Sequence, residues 1–341
     1  MTLLLLSASL PLPLSQAADQ LTSVTHSQND SSLLTFGSQI VLDACWSPAD
    51  LESQALEKKL TTQKRSPAPP PPSATCKNTL PPLSRHLQNS IRSVTPAEGR
   101  KLVALTFDLC EGKGELAGYD ADIVDFLRAS KVKATFFAGG QWLQSHPDRA
   151  MQLMADPLFE IGNHSWNHPN FRLISEPQMH EQIVRTQAQY EIIWENLATK
   201  VQETGIDSCE MNQIPKIPLT FRFPYGTCSE QALRVTAALG LPAIQWNIVT
   251  ADSCKTQTAE KIAWTIVKRA KPGAIVIMHA NGKGIHTARA LALCVPKLQN
   301  QGYQFVTVSE LLLAGPVFST ATCYEEKPND NLRYDRINRK K

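Results

Sequence analysis

No CxxC pair, no basic run threaded with aromatics and no apolar stretch of membrane-spanning length occurs in these 341 residues. The first absence removes the usual signature of a structural zinc knuckle. The second argues against a nucleic-acid partner, as does a formal net charge of only +3. The third leaves no candidate for a transmembrane helix in the mature chain. Aromatics are modest at 7%, yet hydrophobic residues make up 42%, enough for one large domain or two smaller ones.

What is present is unevenly distributed. The N-terminus, MTLLLLSASLPLPLSQAADQ, has a short apolar core followed by small residues at 15–18. It resembles a secretory signal cleaved near Ala17 or Ala18, although no Lys or Arg precedes the core and Pro11 and Pro13 interrupt it. Residues 1–18 are therefore expected to be a signal peptide and the protein to be exported, periplasmic or extracellular. Residues 19–95 are rich in Ser, Thr, Gln and Pro and culminate in SPAPPPPSATCKNTLPPLS. That composition predicts a low-order tether, with a local helix at 50–60. A domain is expected over 96–316 and a frayed, charged tail over 317–341. Eight cysteines, at 45, 76, 110, 209, 228, 254, 294 and 323, are compatible with an oxidising compartment.

Within the central region short apolar runs alternate with helical patterns. Strands are predicted at 102–108, 133–140, 159–165, 219–226, 243–249, 273–279 and 303–309. Helices are predicted at 118–131, 141–155, 176–200, 229–239, 258–271 and 286–300. The near-continuous apolar character of the strands suits burial on both faces. Alternation of this kind makes a parallel sheet with helices outside. Seven strands favour a distorted parallel (β/α) barrel, with an open doubly wound sheet as the alternative. Asp108, His164, Arg222, Asp252 and His279 all fall at or just past the C-terminal ends of five strands, the end where such barrels build active sites. Any one of them alone reads as a hydrogen-bonded core group or a surface residue; five together point to one rim.

His164 and His168 stand four apart in IGNHSWNHPN. On a helical turn that spacing puts both imidazoles on one face, able to share a metal ion.

These segments resemble the polysaccharide deacetylases, the NodB-homology domains of carbohydrate esterase family 4. TFD at 106–108 is similar to the first motif, HSWNH at 164–168 to the second and RFPYG at 222–226 to the third. WNIVTAD at 246–252 and IVIMH at 275–279 resemble the fourth and fifth. The resemblance implies a barrel of seven or eight β/α units and metal-dependent removal of N-acetyl groups from an amino-sugar polymer, peptidoglycan or a chitin-like glycan. It implies that a divalent metal, most plausibly zinc, on His164 and His168 polarises the amide carbonyl and lowers the pKa of a bound water. Asp108 then acts as the base, oriented by Arg222; the Tyr225 backbone N–H helps hold the oxyanion; His279, its pKa raised by Asp252, is the acid.

Two departures qualify that picture. The family's first motif usually reads TFDD, the second Asp being the third metal ligand, whereas Leu109, Cys110 and Glu111 follow Asp108 here. Asp108 itself or Glu111 is the expected substitute. Cys110, a softer ligand that a disulfide would remove, is less favoured. In addition Cys110, Cys228 and Cys254 each lie two residues past a rim motif, so a disulfide joining rim loops is as plausible as three buried thiols. Two other functions stay open: hydrolysis of a small-molecule C–N bond, and a catalytically impaired barrel that binds glycan. Trp142, Trp166 and Trp246 could be sugar platforms, although aromatics at such junctions are more often core.

Overall fold

The computed structural model describes residues 35–54, 57–58 and 69–338, so the expected signal peptide and part of the expected 50–60 helix lie outside the described residues. The run Leu102–Leu109 becomes a strand buried at every position. A strand covered on both faces needs no polar alternation, which is why it reads as one apolar run. In chain order the strands are Ser90–Val94 (β1), Leu102–Leu109 (β2), Ala134–Ala138 (β3), Phe159–Asn163 (β4), Ile248–Val249 (β5), Ala274–His279 (β6), Gln304–Phe305 (β7) and Val317–Thr320 (β8).

β4, β3, β2 and β6 lie side by side in parallel, with β5 on β6 and β7 on β2. β1 pairs β6 and β8 antiparallel. Past β4, single parallel bridges from Asn163 to Phe221, Phe221 to Ala243 and Ile244 to Ile91 carry the curl back to β1. The sheet is a distorted (β/α) barrel. Val103, Leu105, Phe107 and Leu109 of β2 belong to a cluster shared with the outer helices, while Leu102 and Ala104 belong to a different one. Successive side chains of the strand thus face opposite ways. The longest helix, Glu176–Thr204, starts at a capping box on Ser175 and stops at Gly205 in the left-handed conformation.

The predicted strands at 219–226 and 243–249 shrink to bridges and the short β5. Pro224 has no N–H to donate, and Tyr225 and Gly226 both take φ of +58°, so the ladder cannot run on. The predicted strand at 303–309 keeps only Gln304–Phe305, because Thr307 forms a capping box with Glu310 and opens the helix Val308–Leu313.

The tether expected over 19–95 is replaced, in its described part, by packed structure. The helix Gln39–Cys45 buries Val41 and Leu42, with Trp46 behind them, in the outer core, and β1 enters the sheet. The mean composition hides these few well-spaced apolar residues. The expected frayed tail is likewise docked: β8 pairs β1, and Arg172 holds Asp335 at 2.9 Å. Gly273 shows how closely β1 is seated. Its φ is +82°, and a Cβ there would stand 1.7 Å from the Val94 carbonyl oxygen. Gly273→Ala is expected to lower stability by at least about 2 kcal/mol, since the left-handed conformation alone costs an L-residue about 1–2. Chemical denaturation measures this, and an unchanged midpoint would refute that seating.

Candidate active site

β2 and β6 are hydrogen-bonded neighbours, and their register sets Asp108 opposite His279. β4 ends directly before His164, the bridge at Phe221 directly before Arg222, and β5 three residues before Asp252. The five rim residues read from the sequence therefore converge. Arg222 is fully buried, lies 4.0 Å from the Phe137 ring centroid and donates from Nη1 to Asp108 Oδ1 at 2.9 Å. His279 and Asp252 form a second pair. Nδ1 of His279 is 2.9 Å from Asp252 Oδ1, while Oδ2 accepts from the His279 backbone N–H and the Thr287 hydroxyl, both at 2.8 Å.

The charges follow from these contacts. Burial would raise the Asp108 pKa, but His164, Arg222 and His279 together hold it below the usual carboxylate range. Burial also opposes charge on His279, yet Asp252 and Asp108 prevail and push its pKa up to about 9. At neutral pH the site thus has an ionised carboxylate facing an imidazolium, as a base and an acid require. His168 goes the other way: burial, helped by Lys283, drives it down to about 3, so its ring is neutral.

His164 and His168 do meet, with ring centroids 5.0 Å apart. They do so on a loop rather than the helical turn expected, with Ser165 at φ +66° and His168 at +61°. Of seven non-glycine residues with positive φ among the described residues, four (Ser165, His168, Tyr225 and Ala251) lie in loops of this rim. Backbone strain concentrates there. His164 Nδ1 is 2.8 Å from the Arg222 carbonyl oxygen, which can only accept, so Nδ1 carries a proton. Its Nε2 is buried with no hydrogen-bond partner among the described residues, Asp108 Oδ2 standing 3.5 Å away.

The expected third ligands fare unevenly. Asp108 is tied to Arg222. Glu111 faces elsewhere, its Oε2 accepting from the Ala117 N–H at 3.0 Å and the Ser145 hydroxyl at 2.8 Å. Leu109 is fully buried in the outer core, so alternation carries the next inward position to Cys110. Sγ of Cys110 and one nitrogen each of His164 and His168 all lie within 4.8 Å of one another.

Cys228 pairs with Cys323, which ties the Pro224–Gly226 turn to the C-terminal segment rather than to another rim loop. Cys110 and Cys254 are free thiols. Tyr225 sets its ring 4.4 Å from that of His168 and 5.1 Å from that of Tyr334. Trp142, Trp166 and Trp246 are buried, as core aromatics are. Sequence reading missed Thr287, Asn281, Lys283 and Tyr334. The first three lie in or just after the polar loop following His279, and that proximity was the signal.

A family model described as polysaccharide deacetylase matches residues 95–202. A peptidoglycan-N-acetylglucosamine deacetylase of Bacillus cereus is 31% identical over 214 residues, covering 62% of this chain and 88% of that protein. The chain belongs to the polysaccharide deacetylase family. Another such deacetylase, PgdA of Listeria monocytogenes, is 32% identical over 67% of the chain, which spans 42% of the Listeria protein's length. Among solved structures, a peptidoglycan N-acetylglucosamine deacetylase of this family aligns with a TM-score of 0.53 at 26% identity, covering 66% of this chain and 93% of that one. A carbohydrate esterase family 4 pseudoenzyme from Bacillus anthracis aligns with a TM-score of 0.52 at 26% identity, covering 67% of this chain and 70% of that one.

Proposed function

We propose that this polysaccharide deacetylase homologue hydrolyses the N-acetyl groups of an amino-sugar polymer, peptidoglycan or a chitin-like glycan, with a divalent metal as cofactor. One observation carries the reading: a hydrogen-bonded Asp108–Arg222 pair and a hydrogen-bonded His279–Asp252 pair face each other beside His164 and His168. Asp108 takes the proton of the attacking water, Arg222 keeping the carboxylate charged and aimed. The Tyr225 N–H is assigned to the developing oxyanion. His279, whose Nδ1–H is held by Asp252, gives the proton on its other nitrogen to the leaving amine. Amide hydrolysis needs that proton because an amine anion is a poor leaving group.

The donors fit a metal. His164 Nε2 is buried without a hydrogen-bond partner among the described residues, and His168 is neutral. When bound by these two histidines, a divalent ion, zinc by our reading, supplies Lewis-acid polarisation of the acetyl carbonyl and acidifies water. Export of the chain is part of the same reading. It draws on the signal-like N-terminus and on the Cys228–Cys323 disulfide, which suits an oxidising compartment.

The test is acetate release from chitin oligomers and from purified peptidoglycan, with elemental analysis of the same preparations. Wild type should release acetate and carry about one equivalent of zinc; His164→Ala with His168→Ala should do neither. Glycan binding without acetate release, or equally negligible metal in both proteins, would overturn the proposal.

A further inference from the structure

We propose that Cys110 is the third ligand of this metal site, so that the ion is held by two imidazoles and a thiolate. The inference rests on the metal-dependent reading above and goes beyond it in assigning a sulfur donor where the family's first motif carries a carboxylate.

Four observations converge. Strand alternation turns Leu109 into the outer core and brings the following side chain back to the rim. The Cys110 sulfur, only 3% exposed as a residue, shares a 4.8 Å cluster with one nitrogen each of His164 and His168. Nε2 of His164, whose residue belongs to that group, is buried without a hydrogen-bond partner among the described residues, while its Nδ1 is held by the Arg222 carbonyl oxygen. Finally, the loop after β6 is arranged around the sulfur. Asn281 Nδ2 donates to the Cys110 carbonyl oxygen at 2.6 Å and approaches Sγ at 3.2 Å, while Lys283 Nζ sits 3.8 Å from Sγ. Those contacts orient the side chain and supply positive charge beside a thiolate. The rival carboxylates are occupied, Asp108 by Arg222 and Glu111 by Ser145 and the Ala117 N–H.

A thiolate makes the site soft. Zinc and cobalt should bind in strong preference to magnesium or manganese, by a wider margin than a carboxylate in the same place would give. Asp108 is released from ligand duty and stays available as base.

Cobalt(II) added to metal-free full-length protein reads the donor directly. Wild type should show an intense near-ultraviolet thiolate-to-cobalt charge-transfer band. Cys110→Asp should bind cobalt without that band, and Cys110→Ser should bind zinc at least about 100-fold more weakly, since loss even of an outer-shell partner costs 10–100-fold. Circular dichroism of both variants checks that they fold, and Cys110→Asp keeps a ligand where Cys110→Ser removes one. A band persisting in Cys110→Asp, or zinc affinity unchanged in folded Cys110→Ser, overturns the assignment. Cobalt bound by wild type with no band does the same and leaves the deacetylase reading standing if acetate is still released. A band in a wild-type protein that releases no acetate sustains Cys110 as ligand while the deacetylase reading fails.

Discussion

Replacing His279 with alanine is expected to lower kcat on an N-acetylated glycan by about 10²–10⁴-fold and to erase the basic limb of the pH–rate profile. The acid must carry its proton to work, and Asp252 with Asp108 pushes the His279 pKa up to about 9 against the opposing effect of burial. The wild-type rate should therefore fall as pH rises through about 9, because the imidazolium is lost there. Without His279 that fall has no source. Metal content should be unchanged, since His279 is not among the clustered donors. The same group leaves a thermodynamic trace. Its folded-state pKa lies above the ordinary 6.5, so the stability it contributes is complete below that value and is lost as pH climbs through about 9. Denaturation of wild type and His279→Ala across that window should show the gap between them closing. A basic limb that survives in His279→Ala would return the residue to a packing role.

Arg222→Ala should be the most damaging single change to the fold near the site. The guanidinium is fully buried and held by Asp108 and the backbone carbonyl oxygens of Ile244 and Gln245. Removing it strands a buried carboxylate, a loss of about 3–5 kcal/mol in comparable cases. The surviving carboxylate also changes. Burial pushes the Asp108 pKa up, and without Arg222 less charge opposes it, so the acid limb of the pH–rate profile should move to higher pH. Lysine cannot replace the planar fork and should rescue only part of either effect. Urea titration reads the first effect and the pH profile the second. An acid limb that does not move would mean that Arg222 serves the fold and not the base.

The five rim residues were legible because they depend on local facts. A run of residues that alternates face along a strand ends at a defined place, and in parallel β/α units those ends share one side. Asp108, His164, Arg222, Asp252 and His279 each sit at such an end, and knowing that the ends converge was enough to group them. The same logic, pressed one residue further, places Cys110 on the rim. β2 keeps its alternation through Leu109, so side chains at 108 and 110 return to the rim while 109 turns outward. Motif matching by position instead found Leu109 at the ligand position, favoured Asp108 or Glu111 as its substitute and ranked Cys110 below them.

The chain's own pattern thus determined the fold class and the strand ends that carry the five rim residues, because hydrophobic period and motif spacing act within a few residues. Tertiary structure alone decided the rest. Cys228 and Cys323 are 95 residues apart, and nothing local to either selects the other. β1 and β8 pair across most of the domain, so weakly patterned segments that read as tether and tail gain order only from the surface that receives them. The His164 ring is oriented by the carbonyl oxygen of Arg222, 58 residues on, which holds Nδ1. Such choices are made by which surfaces meet once the barrel has closed, and sequence spacing does not encode them.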